Sequence, residues 1–437
     1  MALPLLQTPT FSLTIPSVFD DTVLDCRIYH PGSFFGDEEE TRTATATNTV
    51  ERWRKKGAVI AHPYAPLGGS YDDPVVASVA AEILGNGYVV GTFNFRFGGS
   101  LGGAGDSKGS TSWTAKAEVA DYVSFAAFFI HYLHHLDPQP SQTNLHRPLH
   151  AAPNGTLTPI PSSVVPSGAP ADDRGNTASV ILGGYSYGSL IATYLPPVEA
   201  ILGQFADVGE GSTEAEVVLR AERLAGQWNK ESLLDIGSRR GRSSGTHPPR
   251  RSTSHSVVVG GEETEPGVRR PSRDSRRSME TIRKSLDFVR TSPSRRRHAS
   301  KNHLPEEDPP GAKVDRKHLP TPDTYYLLIS PLLPPISTFA TFFSDLSHLA
   351  RASPRSLAPK QGEKLVANPT GVVWGSRDGF TSHHKLRKWA ESLAGKPQSR
   401  FRFWEIVGAG HFYHEAGADA QLRKHVRLWS QDIISHA

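Results

Sequence analysis

The sequence predicts an α/β fold: a mainly parallel, doubly wound sheet with helices on both faces and one large disordered insertion. Three observations predict it. Short apolar runs alternate with helix-spaced segments toward both ends of the chain, the pattern of strands joined by crossover helices. One of these runs, Thr177–Leu182, ends in Gly183-Gly184-Tyr185-Ser186-Tyr187-Gly188 and passes at once into a small-residue helical pattern. Between about residues 203 and 320 the chain becomes Arg-, Ser- and Pro-rich, and hydrophobic residues make up only 37% of the whole, so part of it lies outside any core.

Taken in order, Thr10–Ile15 and Thr22–His30 alternate apolar and polar residues and read as an antiparallel strand pair. Gly36–Lys56 is acidic and threonine-rich, an exposed loop. Gly57–Ala61 is a buried strand leading into His62-Pro63-Tyr64-Ala65-Pro66-Leu67-Gly68-Gly69. Pro74–Leu84 has helical spacing and stops at Gly85-Asn86-Gly87. Tyr88–Phe93 is the next strand, running into Asn94-Phe95-Arg96 and a glycine loop, and Trp113–Leu136 is a long amphipathic helix. Residues 137–176 form an irregular, Pro- and Ser-rich insert. After the Ser186 strand, a helix ends near Pro196-Pro197.

Residues 1–202 thus form the N-terminal part of one domain, 203–320 a basic insertion, and 321–437 the C-terminal part. Glu214–Trp228 reads as a helix, and Met279–Val289 as a short amphipathic one within an otherwise disordered tract. Order resumes with a strand at Thr324–Ser330 and helical residues at Thr338–Ala350. A strand at Gly371–Trp374, a helix at Ser382–Leu393, a last strand at Phe401–Val407 and a closing helix at Ala418–Ile434 follow.

Composition narrows the function classes. The net charge of +4 hides an asymmetry: 237–318 holds 20 Lys and Arg against 10 Asp and Glu, so the rest is mildly acidic. The basic balance is therefore no sign that the folded part binds nucleic acid. The single cysteine, Cys26, excludes an intrachain disulfide and fits a reducing, cytoplasmic compartment, with a buried and unreactive thiol. No apolar run is long enough to span a membrane. The basic insertion sets Ser252, Ser272, Ser278 and Ser300 behind arginines, which suits kinases or an acidic partner.

Gly-x-Ser-x-Gly occurs four times, around Ser100, Ser107, Ser186 and Ser243, and only the Ser186 copy has a strand before it and a helix after it. That context is the sequence form of a nucleophile elbow. A Cβ at Gly184 or Gly188 would collide with the neighbouring strand or helix. Functional groups of such sheets gather beyond the carboxyl ends of the strands. Ser186, Asp378 and His411 all lie there, in that chain order. A serine hydroxyl needs an imidazole to remove its proton, and a carboxylate fixes the imidazole's tautomer. Asp345, in a helical stretch, is the weaker candidate for the acid, and His414 reads as a surface residue. The oxyanion donors are expected at the N–H of Tyr187 and of Tyr64, with Ala65 one step away. His62 has no ligand cluster around it, so no metal is assigned, and no cofactor is called for.

These residues resemble the α/β-hydrolase superfamily, most closely a group of small serine hydrolases. That group carries a His-Pro loop closed by Gly-Gly, an Asn-Phe-Arg segment, a Gly-Phe-Ser-Phe-Gly-like elbow and a late Ala-x-His-Phe. Here these are His62-Pro63 with Gly68-Gly69, Asn94-Phe95-Arg96, Gly184-Tyr185-Ser186-Tyr187-Gly188 and Ala409-Gly410-His411-Phe412, while Glu118 and Asp121 match an acidic pair of the group. Phe97 replaces the expected glycine, and the insertion at 203–320 has no counterpart in small members. The resemblance implies hydrolysis of an ester, thioester or amide of a small acyl substrate. A serine peptidase is the alternative within the class, and a non-catalytic binding or scaffold protein the alternative outside it.

Overall fold

A computed structural model of the chain describes residues 6–32, 53, 55–96, 115–137, 177–240, 257–259, 319–333 and 361–435. Helical residues expected at Thr338–Ala350 and Met279–Val289, and the serines Ser100, Ser107 and Ser243, lie outside the described residues, as do Asp345 and the four serines behind arginines.

Among the described residues nine strands form one sheet. In chain order they are β1 (Phe11–Pro16), β2 (Val23–Tyr29), β3 (Lys56–Ala61), β4 (Val89–Phe93), β5 (Ser179–Tyr185), β6 (Val257–Val259), β7 (Asp323–Ile329), β8 (Thr370–Gly375) and β9 (Phe401–Ile406). Across the sheet the order is β6-β1-β2-β4-β3-β5-β7-β8-β9. The alternating pair β1 and β2 is antiparallel, as expected, and β2 runs antiparallel to β4. From β4 to β9 every pairing is parallel. The chain makes β3, crosses to β4 on one side and then returns to place β5 on the other. This reversal opens a crevice beyond the strand ends where ligands bind in such sheets.

Crossover helices cover both faces because the strands bury both. Along β5, Val180 and Leu182 join one core cluster, while Ile181 and Tyr185 join the other. The first cluster is closed by α2 (Lys116–His135), α3 (Tyr187–Tyr194), α4 (Val198–Gln204), α5 (Thr213–Arg240), α6 (Gln361–Ala367) and α7 (His383–Ala394). The second is closed by α1 (Pro74–Gly85) and α8 (Ala418–Ser435). Cys26 is buried in the first cluster, and burial pushes its thiol well up.

Besides the helix α4 and the strand β6, neither of them expected and the latter within the tract expected to be disordered, the structure departs from the expectations at two elements. Helix α5, expected over Glu214–Trp228, runs from Thr213 to Arg240. Its Val217, Val218, Ala221, Leu224 and Ala225 are buried, a stripe at helical spacing that packs on α2. No proline interrupts the chain between Thr213 and Arg240. Helix α6, which no periodicity announces in seven residues between Pro359 and Pro369, is the other.

A buried ion pair locks the β1–β2 turn onto the sheet. Arg96, just past β4, meets Asp121 of α2 at 2.6 Å and donates to Ser17 Oγ at 3.0 Å. Ser17 in turn donates to Asp121 at 2.7 Å. Both charges are buried, so the pair is sustained by these extra hydrogen bonds.

Candidate active site

Ser186 stands at the turn between β5 and α3 with φ 54° and ψ −113°, a conformation that costs a non-glycine residue energy. The surrounding structure holds it there. Ser186 N–H donates to Ile329 O at 2.8 Å. Ser189 Oγ, one helical turn on, donates to Ile329 O at 2.9 Å and accepts from Ile329 N–H at 2.9 Å. The glycines allow the close packing: a Cβ on Gly184 would strike the backbone of Gly188, and one on Gly188 would strike the Ala61 and His62 carbonyls.

Asp378 follows β8. Its Oδ1 accepts N–H bonds from Phe380 at 2.8 Å and Thr381 at 3.2 Å, which fixes the carboxylate. Its Oδ2 lies 2.7 Å from Nδ1 of His411. Burial opposes its charge, yet the hydrogen bond and charge of His411 and the two N–H groups prevail, holding the carboxyl below its usual value. Asp378 does not cap α7; Ser382 occupies that position.

His411 follows β9. Its Nε2 is 2.9 Å from Ser186 Oγ. An ionised carboxylate only accepts hydrogen bonds, so Nδ1 carries the proton and Nε2 presents its lone pair to the serine hydroxyl. Ser186, His411 and Asp378 are all buried, at 7%, 5% and 9% exposure. The loops bearing acid and histidine are laced together: Arg377 N–H donates to Ala409 O at 2.8 Å, and Gly408 N–H to Ser376 Oγ at 2.8 Å.

Two tyrosines position the histidine, and the sequence reading had not singled out their hydroxyls. Tyr185, the residue before Ser186, donates its hydroxyl to the backbone carbonyl of His411 at 3.0 Å. Tyr413 lies with φ 54°, buried, its hydroxyl 2.9 Å from Ser330 Oγ. Only Tyr185 belongs to the elbow; Tyr413 lies two residues past His411, and neither local pattern records what its hydroxyl reaches.

Tyr187 and Tyr64 also meet, with ring centroids 5.0 Å apart. Tyr187 is the first residue of α3, so its N–H has no partner within the helix. Tyr64 precedes a short helical turn, and its carbonyl accepts from Leu67 at 3.1 Å and Gly69 at 3.2 Å. Gly68 closes that turn at φ 88°. Beneath it His62 is fully committed: Nδ1–H donates to Pro63 O at 2.5 Å, and Nε2 accepts from Phe95 N–H at 2.9 Å. Burial pushes its imidazole down to about 4, so it stays neutral and ties the loop after β3 to the loop after β4. Among the described residues no group of three or more His, Cys, Asp or Glu side chains could hold a metal ion. His414 is exposed and stacks on Phe412 at 5.7 Å, outside the Ser186–His411–Asp378 chain of hydrogen bonds.

No family model matches the chain, and no curated protein matches it. Among solved structures it is similar to an alpha-beta serine hydrolase homologue from Coxiella burnetii, at 12% identity and TM-score 0.41, over 97% of this chain and 98% of that one. It is also similar to an a/b serine hydrolase without lid from Xanthomonas campestris, at 13% and 0.39, over 98% and 97%. A third is an esterase from Thermogutta terrifontis with butyrate bound, at 12% and 0.38, over 96% and 91%. Independently of these, the strand order, the antiparallel β2, the crossover helices on both faces and the strained turn after β5 define the architecture. The chain has the α/β-hydrolase fold.

Proposed function

We propose that the protein is a serine hydrolase that cleaves an ester, thioester or amide through an acyl-enzyme on Ser186. The observation that carries this reading is the imidazole of His411, hydrogen-bonded on one side to Ser186 Oγ at 2.9 Å and on the other to Asp378 at 2.7 Å. Nucleophile, base and orienting acid all come from the chain, so the chemistry needs no cofactor.

Ser186 Oγ attacks the carbonyl carbon while its proton passes to Nε2 of His411. Asp378 stabilises the imidazolium through Nδ1–H and keeps its charge throughout. The oxyanion that forms accepts from the Tyr187 N–H, at the positive end of α3, and from the Tyr64 N–H. As the tetrahedral adduct collapses, the bond to the leaving group breaks and Nε2–H delivers its proton there. Water then repeats the sequence on the acyl-enzyme and releases the acid.

Ser186→Ala removes only a hydroxyl and is expected to lower kcat by about 10⁴- to 10⁶-fold in a protein with an unchanged circular-dichroism spectrum. His411→Ala and the double variant with Ser186→Ala are expected to be equally inactive, because such residues act as a unit. Asp378→Asn should leave a small residue of activity. Hydrolysis undiminished in Ser186→Ala would refute the assignment and favour a binding or scaffold role.

A further inference from the structure

We propose that the substrate's leaving group is neutral and apolar, an aromatic or bulky alkyl alcohol, and that Phe380 and Phe412 bind it. The inference rests on Ser186 and His411 acting as proposed above.

Most large apolar side chains of the described residues are buried, and two of the eight that are exposed flank His411. Phe380 is 39% exposed and Phe412 51% exposed, and both lie against the one imidazole that bonds to Ser186. The Phe380 ring centroid is 4.4 Å from that of His411, and the Phe412 centroid is 5.3 Å from it. The two phenyl rings meet edge to face at 6.0 Å, an arrangement that aromatic pairs favour. Together they make a small aromatic corner beside the buried His411.

The corner is built rather than frayed. The backbone N–H of Phe380 is spent on Asp378 Oδ1 at 2.8 Å, so its position is set by the same carboxylate that orients His411. Phe412 lies between two anchored residues. The carbonyl of His411 is held by the Tyr185 hydroxyl, and Tyr413 is buried with its hydroxyl bonded to Ser330. With both neighbours turned inward, Phe412 is directed outward by a fixed backbone.

Acid catalysis decides which part of a substrate meets this corner. The proton that Ser186 loses goes to Nε2 of His411 and then to the leaving oxygen as its bond to the carbonyl carbon breaks. For that transfer the leaving oxygen lies within about 3 Å of Nε2. The carbons attached to it are then beside a phenyl ring whose centroid is 4.4 Å from the imidazole centroid. Burying an apolar leaving group there removes exposed aromatic surface from water on both sides.

Charge narrows the class further. Two carboxyl groups lie at this corner. Asp378 bonds His411, and the carboxyl of Glu415 is held below its usual value mainly by the N–H of Gly410, the residue before His411. The charge of Arg377 on the neighbouring loop also favours the ionised carboxyl. The balance favours a neutral leaving group over a phosphate-bearing thiol.

The test compares benzyl and methyl esters of acetic, butyric and octanoic acids on the full chain, so that the leaving alcohol varies independently of the acyl group. The expected result is a kcat/KM about tenfold or more higher for the benzyl ester of whichever acid is accepted. Phe412→Ala should remove most of that preference, read as the ratio of kcat/KM for the two esters. Phe380→Leu should retain much of the preference and Phe380→Ala lose it. In parallel, labelling of Ser186 by a fluorophosphonate reads the catalytic assignment alone. A wild type that is labelled but shows no benzyl preference overturns this inference and leaves the hydrolase reading standing. So does one that is labelled but cleaves neither ester, or a Phe412→Ala variant that loses both esters equally. Absence of labelling at Ser186 overturns both.

Discussion

Tyr185 shows how a single hydroxyl couples two strand ends. Its backbone ends β5 and leads into Ser186, and its side chain holds the carbonyl of His411 from a position 226 residues earlier in the chain. Burial, with nearby Asp73, Tyr413 and Asp378, pushes the phenol far up, so it remains a donor at any working pH. Tyr185→Phe keeps the ring packed at 5.3 Å from the imidazole but leaves that buried carbonyl unsatisfied. A lost hydrogen bond of this kind is worth about 1–2 kcal/mol. If it acts on the histidine's position, kcat should fall about tenfold with KM within about twofold, read by steady-state kinetics. A fall in stability with kcat untouched would show that the bond serves only the fold.

At the scale of elements, the helix that follows Ser186 is short and its far end is held by an unusual partner. Lys364 of α6 is buried, and its Nζ donates to the carbonyls of Ala192 at 3.1 Å and Leu195 at 2.6 Å, at the C-terminal end of α3. A cation there satisfies orphan carbonyls and suits the negative end of the helix. Burial nevertheless pushes its amine down to about 7. Unfolded, the amine titrates near 10.4. Between these values the unfolded chain holds the proton and the folded chain does not, so this group makes stability rise with pH from about 7 to about 10. Lys364→Met should therefore flatten that rise by a few kcal/mol relative to the wild type, measured by urea denaturation at several pH values. An identical pH profile in the variant would mean that the amine stays charged on its two carbonyls.

At the scale of the whole molecule, the sheet is built from two stretches far apart in the chain. Ser179–Tyr185 pairs with Asp323–Ile329 residue for residue. Nothing in that pairing involves residues 261–312. Replacing them with a Gly/Ser linker of about 12 residues changes the loop-closure cost by only about 1 kcal/mol. The variant should fold, with Tm within about 5 °C of the wild type by calorimetry. Loss of the cooperative transition would show that the stretch contributes to the core.

The same long-range construction explains what could be read in the sequence. The strands, the elbow and the positions of Asp378 and His411 were legible because each is written locally, in an apolar run followed by a glycine turn. The clamps were not. Tyr185 to His411, Lys364 to α3 and Ser189 to Ile329 join residues distant in sequence, and no local pattern records which hydroxyl or amine reaches which carbonyl. The extension of α5 was missed for another reason. Its second half is polar, and composition there resembles the basic tract that follows.

The central claim is that Ser186 is a nucleophile made reactive by His411 and Asp378. It is tested most directly by treating the folded protein with a fluorophosphonate and mapping the adduct by mass spectrometry. The account predicts one adduct, on Ser186, absent in Ser186→Ala and formed at least about 10³-fold more slowly in His411→Ala. No adduct on the folded wild type, or an adduct on another serine that persists in Ser186→Ala, would contradict it.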